Sequence, residues 1–350
     1  MNETTSLSEP MLRPRYRRTE SRIVEVGAPV VVDRSKRSSV FLGTLLTLLV
    51  LLLLHPSYHR TQPLYVLPPQ TSSPVIGILA QPYNDTHEHI ASSYPKWLEA
   101  GGARSFPIPF FASQTMIEEI LPELDAVLLP GGGADYPETV TWLLDRILQD
   151  ERYIPVWGTC LGFEFLVQYV RGQPLEYGFD AENISLPLEN VQRRELYSTR
   201  KLLTTVTTRA ITLNNHHLGI APSNFTGRLA EVWHVTSTNV DRQGNAFVSS
   251  IEPQQPEAFP FYGVQYHPEK NAFEYATAPG GWPYEAIDHS PEGIDFAMHM
   301  ASFFVGLARR KPTGRYTGKF PYVFAYPTKS GLAFEERHLI PKEALYGTTM

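Results

Sequence analysis

Between residues 74 and 172 the chain passes four times from a short apolar run to a segment of helical period. The apolar runs are "PVIGILA" (74–80), "ARSFPIPFF" (103–111), "DAVLLPGGG" (125–133) and "YIPVWGTC" (153–160). Each is short and bounded by glycine or proline, as buried strands are. The segments between and after them read as helices: "HIASSYPKWLEAGGA" (89–103), "SQTMIEEILPEL" (113–124), "YPETVTWLLDRILQDE" (136–151) and "LGFEFLVQYVRG" (161–172). Pro95 bends the first or delays its start, and Ser113 caps the second. Strands alternating with helices predict an α/β fold, a three-layer α/β/α sandwich around a mostly parallel sheet. Beyond 172 the pattern turns antiparallel, in "LAEVWHVTSTNV", "NAFVSSIE" and "FYGVQYHPE". A long helix, "GIDFAMHMASFFVGLARR", closes a domain spanning 74–310, and the aromatic tail 311–350 is expected to be irregular and to pack on its surface.

The N-terminal part follows other rules. Residues 1–37 are basic and expected to be disordered, and 55–73 form a linker rich in Pro, Ser and Thr. Between them the uncharged run "VFLGTLLTLLVLLLL" (40–54), extended to 38–54 by two serines, reads as a signal anchor, with a cleaved signal and a secreted body as the alternative. The basic flank stays cytosolic, so the rest would face the lumen. The sequons at Asn84, Asn183 and Asn224 suit that side as glycosylation sites, whereas the one at Asn2 would go unused. A net charge of −6 without a clustered basic surface gives no reason to expect a nucleic-acid partner.

Cys160 is the only cysteine, so no disulfide is available. It lies where a strand meets a helix, with Gly158 and Gly162 at i−2 and i+2, the spacing of a nucleophile elbow. The helix N-terminus would favour the thiolate, and the Leu161 N–H would face an oxyanion. Gly131 or Gly132 of "LLPGGGAD", at the end of the neighbouring strand, would supply a second donor. A small buried thiol on a tight turn gives the same letters, so the base decides. Of eleven histidines, His267 in "GVQYHPEK" follows a β-run, and Glu269 two residues on can reach its Nδ1. The pair His216–His217 in "NNHHLGI" has no Cys or acidic partner at ligand spacing, so neither a metal nor another cofactor is expected.

"PGGG", "GTCLGFE" and "GVQYHPEK", in this order, resemble the class I glutamine amidotransferase-like superfamily and, within it, the γ-glutamyl hydrolases. The resemblance covers about 74–310, includes "ASSYPKWLEAGGAR" and "NNHHLGI", and reaches into the tail at "FPYVFAYP". It implies a flavodoxin-like sheet, with Cys160 as nucleophile, His267 as general base and acid, and Glu269 as third member. It further implies that His216, or His217 beside it, lines the substrate site. Glu164 stands where amidotransferases usually carry glutamine, and a carboxylate there would contact substrate. The implied activity is cleavage of γ-glutamyl bonds, most simply those of folate polyglutamates, in a lysosome or vacuole, although the N-terminal anchor could hold the protein elsewhere in the secretory pathway. The partners implied are a small γ-glutamyl substrate, the membrane through 38–54 and, at most, a second copy in a homodimer. A glutaminase-type amidotransferase would instead carry glutamine at 164 and a synthetase partner. A non-enzymatic relative would have lost the nucleophile or the base.

Overall fold

A computed structural model describes residues 73–310 and 316–347. The basic segment 1–37, the candidate anchor 38–54 and the linker up to residue 72 lie outside the described residues. Among the described residues no helix is long and apolar enough to cross a membrane.

Strand β1 (Val75–Leu79) is buried at all five positions, as an interior strand covered on both faces must be. The chain then leaves the main sheet through β2 (Gln81–Pro82) and β3 (His87–Ala91). Their turn is tied by Asn84 Oδ1, which accepts from the amides of Thr86 and His87. The helix Ser93–Ala100 leads to β4 (Arg104–Ile108), the helix Gln114–Ile120 to β5 (Ala126–Leu129), and the helix Glu138–Gln149 to β6 (Val156–Thr159). After the helix Leu161–Arg171 come a ribbon of β7 (Glu176–Leu186) and β8 (Thr212–Gly219), then β9 (Trp233–Val240), β10 (Ala246–Pro253) and β11 (Phe261–Val264). The helix Pro291–Ala308 precedes β12 (Thr328–Ser330) and β13 (Glu336–Pro341).

The central sheet runs β4-β1-β5-β6-β11-β10-β9. Its first five strands are parallel neighbours and its last two antiparallel, so the fold is the expected α/β sandwich. Apolar layers cover both faces. Leu143, Phe163 and Leu166 belong to one, and Trp97, Trp157 and Phe304 to the other, where Trp157 lies 5.7 Å from Trp97 and 5.6 Å from Phe304. Strand β11 differs from the antiparallel expectation: it is antiparallel to β10 but parallel to β6.

Two further expectations are corrected. His87–Ala91 is a strand rather than the start of a helix. Pro95 lacks the N–H that a helix reaching back to residue 91 would need, so the helix begins only at Ser93. The tail is not irregular throughout: β13 pairs along β3, from Arg337↔Ala91 to Pro341↔His87, in a second sheet of order β12-β13-β3-β2. Its alternation is confined to six residues, with His338 and Ile340 buried, and only a partner strand far away in sequence gives it meaning.

Candidate active site

Strand β6 ends at Thr159, in register with Val264 at the end of β11. The next residue, Cys160, donates its N–H to Val264 O at 2.9 Å. Cys160 has φ 50° and ψ −108°, a left-handed backbone uncommon outside glycine. The turn closes tightly around it. A Cβ on Gly158 would sit 2.5 Å from Gly162 O, and one on Gly162 would sit 1.9 Å from Leu129 O. Both flanking positions therefore require glycine, which a loosely placed buried thiol would not.

Three residues past Val264 stands His267, whose N–H donates to Leu213 O at 2.9 Å. Its Nδ1 lies 2.7 Å from Glu269 Oε1, and both side chains are buried. A Cβ on Gly131 would lie 2.6 Å from His267 Cε1 and 3.4 Å from Cys160 Cβ. Parallel pairing of β6 with β11 thus brings Cys160, His267 and the glycine loop after β5 to one point. Burial pushes the Cys160 thiol well above its ordinary value, helped by the Glu164 and Glu269 carboxylates. The Leu161 N–H and Lys270 oppose this without overcoming it.

Gly131 departs from its expected role, because its N–H already donates to the Tyr94 hydroxyl at 2.7 Å. Gly132, which lines the cavity, is the remaining donor candidate beside Leu161. Tyr94 was invisible in the sequence reading. It is 1% exposed, and the Glu269 carboxylate beside it adds to the burial that raises its pKa.

The thiol opens into a cavity of about 720 Å³. Its lining includes Cys160, His267, Gly132, Asn215 and Lys270, together with Phe110, Tyr136, Phe334 and Arg337. Glu164 is not among the lining residues. It is buried beneath the elbow, accepts from Gln265 Nε2 at 2.9 Å, and is pushed up to about 7 by burial. A helical side chain leans over the turn N-terminal to it, so the Glu164 carboxylate lies near enough to act on the Cys160 thiol without lining the cavity. His216 and His217 miss the cavity as well. His216 is buried edge-on against Phe247 at 4.8 Å, with Nδ1 2.8 Å from Leu218 O, and burial lowers its pKa to about 4. His217 pairs at the surface with Glu182 at 3.1 Å. In a strand one residue of offset changes the face, and Asn215 is the member of this motif that reaches the cavity. The sequon residues are exposed; Asn183 Nδ2 donates to Tyr284 O and Asn224 Nδ2 to Glu176 Oε1.

A thiol on a strained elbow and a histidine–carboxylate pair just past the neighbouring parallel strand thus share one cavity, on the mostly parallel sheet of an amidotransferase-type α/β fold. Consistent with this, the family model "Glutamine amidotransferase class-I" matches residues 91–279. Gamma-glutamyl hydrolase B of Dictyostelium discoideum is 33% identical over 264 residues, covering 68% of this chain and 73% of that protein. Human gamma-glutamyl hydrolase is 32% identical over 259 residues, covering 68% and 78%. Gamma-glutamyl hydrolase 1 of Arabidopsis thaliana is 33% identical over 261 residues, covering 68% and 72%. The chain belongs to the γ-glutamyl hydrolase family, within the class I glutamine amidotransferase-like superfamily, and is an enzyme that hydrolyses γ-glutamyl bonds.

Proposed function

We propose that this hydrolase cleaves folate polyglutamates through a γ-glutamyl thioester on Cys160. The observation that carries the proposal is the convergence of Cys160 and His267 beside Gly131, with Glu269 on His267 Nδ1. Glu269 fixes the imidazole so that Nε2 is the nitrogen free to take the thiol proton. The sulfur then attacks the γ-carbonyl carbon. The oxyanion is held by the N–H groups of Leu161 and Gly132, each of which supports the step by roughly 10²–10³ in rate. The C–N bond breaks as His267 protonates the leaving amine. Water, deprotonated by His267, attacks the thioester, and the proton returns to the sulfur as the acid leaves. No cofactor enters these steps.

Incubating residues 60–350 with pteroyl-polyglutamate and following chain lengths by mass tests this reading. Turnover by the wild type and none by Cys160→Ala is expected. Substantial turnover by Cys160→Ala would overturn the thioester. Turnover of other γ-glutamyl peptides but not of the pteroyl compound would remove the folate assignment.

The chain is further proposed to be anchored by 38–54 with a lumenal, glycosylated body, as a lysosomal or vacuolar protein. Asn84 is the first sequon to expect occupied, because its side-chain amide nitrogen is not used in the turn that its oxygen caps. Release from membranes by alkaline carbonate, or unchanged mobility after glycosidase treatment, would count against the anchor and the glycan respectively.

A further inference from the structure

We propose that Arg337, delivered by the C-terminal strand β13, is the residue that binds a substrate α-carboxylate and selects for anionic γ-glutamyl chains. This rests on the hydrolase reading above and names the specificity element of the same cavity.

The cavity lining carries two obligate cations, Lys270 and Arg337. Lys270 is fully engaged, since its Nζ lies 2.6 Å from both oxygens of Glu285. Arg337 is not. Its guanidinium carbon lies 5.6 Å from the centre of the Tyr83 ring and 5.5 Å from that of Phe334, and no carboxylate among the described residues pairs with it. The one acidic lining residue, Asp135, belongs to the loop after β5. Contact with two aromatic rings restrains a guanidinium without using its hydrogen-bond donors, and those donors suit a planar carboxylate. Lys329 reinforces the local positive charge from β12, donating to Tyr83 OH at 3.0 Å.

Two neutral groups in the cavity await a ligand. Gln81 is 5% exposed, and neither Oε1 nor Nε2 has a partner. His89 Nδ1 is likewise buried without one, and burial together with the Arg337 charge lowers its pKa to about 4, so it stays uncharged. An arriving carboxylate places oxygens among these donors. Each unit of a poly-γ-glutamate carries such a group, one for every bond that can be cleaved. An enzyme whose cavity reads it distinguishes a γ-glutamyl chain from a neutral amide of similar size.

The test compares Arg337→Gln with wild type on pteroyl-tri-γ-glutamate and on the same compound with its α-carboxyls converted to carboxamides. Loss of a charge-assisted bidentate contact should raise KM for the acid by about 10- to 100-fold with kcat nearly unchanged. The carboxamide should be cleaved equally by both proteins. Arg337→Lys should fall between, and KM of the wild type should rise with salt more steeply than that of Arg337→Gln. An equal effect on acid and carboxamide, or a fall in kcat alone, would overturn the assignment, since a folding defect strikes both substrates alike. Failure of the wild type on every γ-glutamyl substrate would instead remove the hydrolase reading of the cavity.

Discussion

Glu164→Gln is the substitution whose consequence is best determined. Glu164 is 6% exposed, beneath the elbow, with one hydrogen bond from Gln265. Burial raises its carboxyl from 4.5 to about 7. Between those values the folded protein holds a proton that the unfolded chain has released. Raising pH through this window therefore lowers stability, and the loss stops above about 7. At about 1.4 kcal/mol for each pH unit, the group is worth about 3 kcal/mol at acid pH relative to neutral. Glutamine keeps the oxygen that Gln265 needs and has no proton to lose. Urea denaturation of both proteins from pH 4.5 to 8, read by tryptophan fluorescence, should show the variant gaining on wild type by up to about 3 kcal/mol as pH rises. Glu252 and Glu274, also raised to about 7 by burial, keep a residual slope of the same sign in both proteins. The Glu164 carboxylate also holds the Cys160 thiol up, so the variant should be alkylated by iodoacetamide at lower pH. Stability curves that stay parallel across the window would refute the buried-acid reasoning.

Three further outcomes are expected. Gly162→Ala should lose at least about 3 kcal/mol of stability or fail to fold, because its methyl would meet the Leu129 carbonyl backbone; a thermal melt close to wild type would show that the elbow gives way instead. Glu269→Gln should lower kcat by about 10²- to 10⁴-fold with KM little changed, since the imidazole loses its orienting anion, and an unaltered kcat would leave Glu269 a structural partner only. Tyr94→Phe leaves the Gly131 N–H without an acceptor at a cost of about 1–3 kcal/mol, and should lower kcat about tenfold by loosening the loop that carries Gly132; wild-type kinetics would mean that Tyr94 merely fills space.

What could be read from sequence was what is local. The short apolar runs located β1, β4, β5 and β6, because parallel strands covered by helices on both faces show almost no polar face. Cys160 and His267–Glu269 stood out for the same reason: an elbow and a strand-end turn are short, with glycines and a proline at set offsets. The second sheet was hidden because β3 and β13 belong together only through pairing across most of the chain, and neither advertises the other. The cavity walls were hidden with it. Tyr94 lies in a segment that reads as helix, Arg337 in the tail, and Gln81 just past the first apolar run, where no pattern marks it. The misplacement of His216 and Glu164 has a narrower cause. Both lie close to the site, but their side chains are buried against Phe247 and Gln265 rather than opening into the cavity.

The pairing of β13 with β3 also sets an order of events. The sheet that holds Cys160 and His267 can assemble as soon as Val264 has been made, whereas the wall bearing Phe334 and Arg337 must wait for a strand synthesised much later. Closing so long a loop is slow relative to local pairing. During translation the turn that carries Cys160 can thus form before the second sheet that completes its cavity. A nick between β12 and β13 would leave that wall held only by the pairing of β13 with β3.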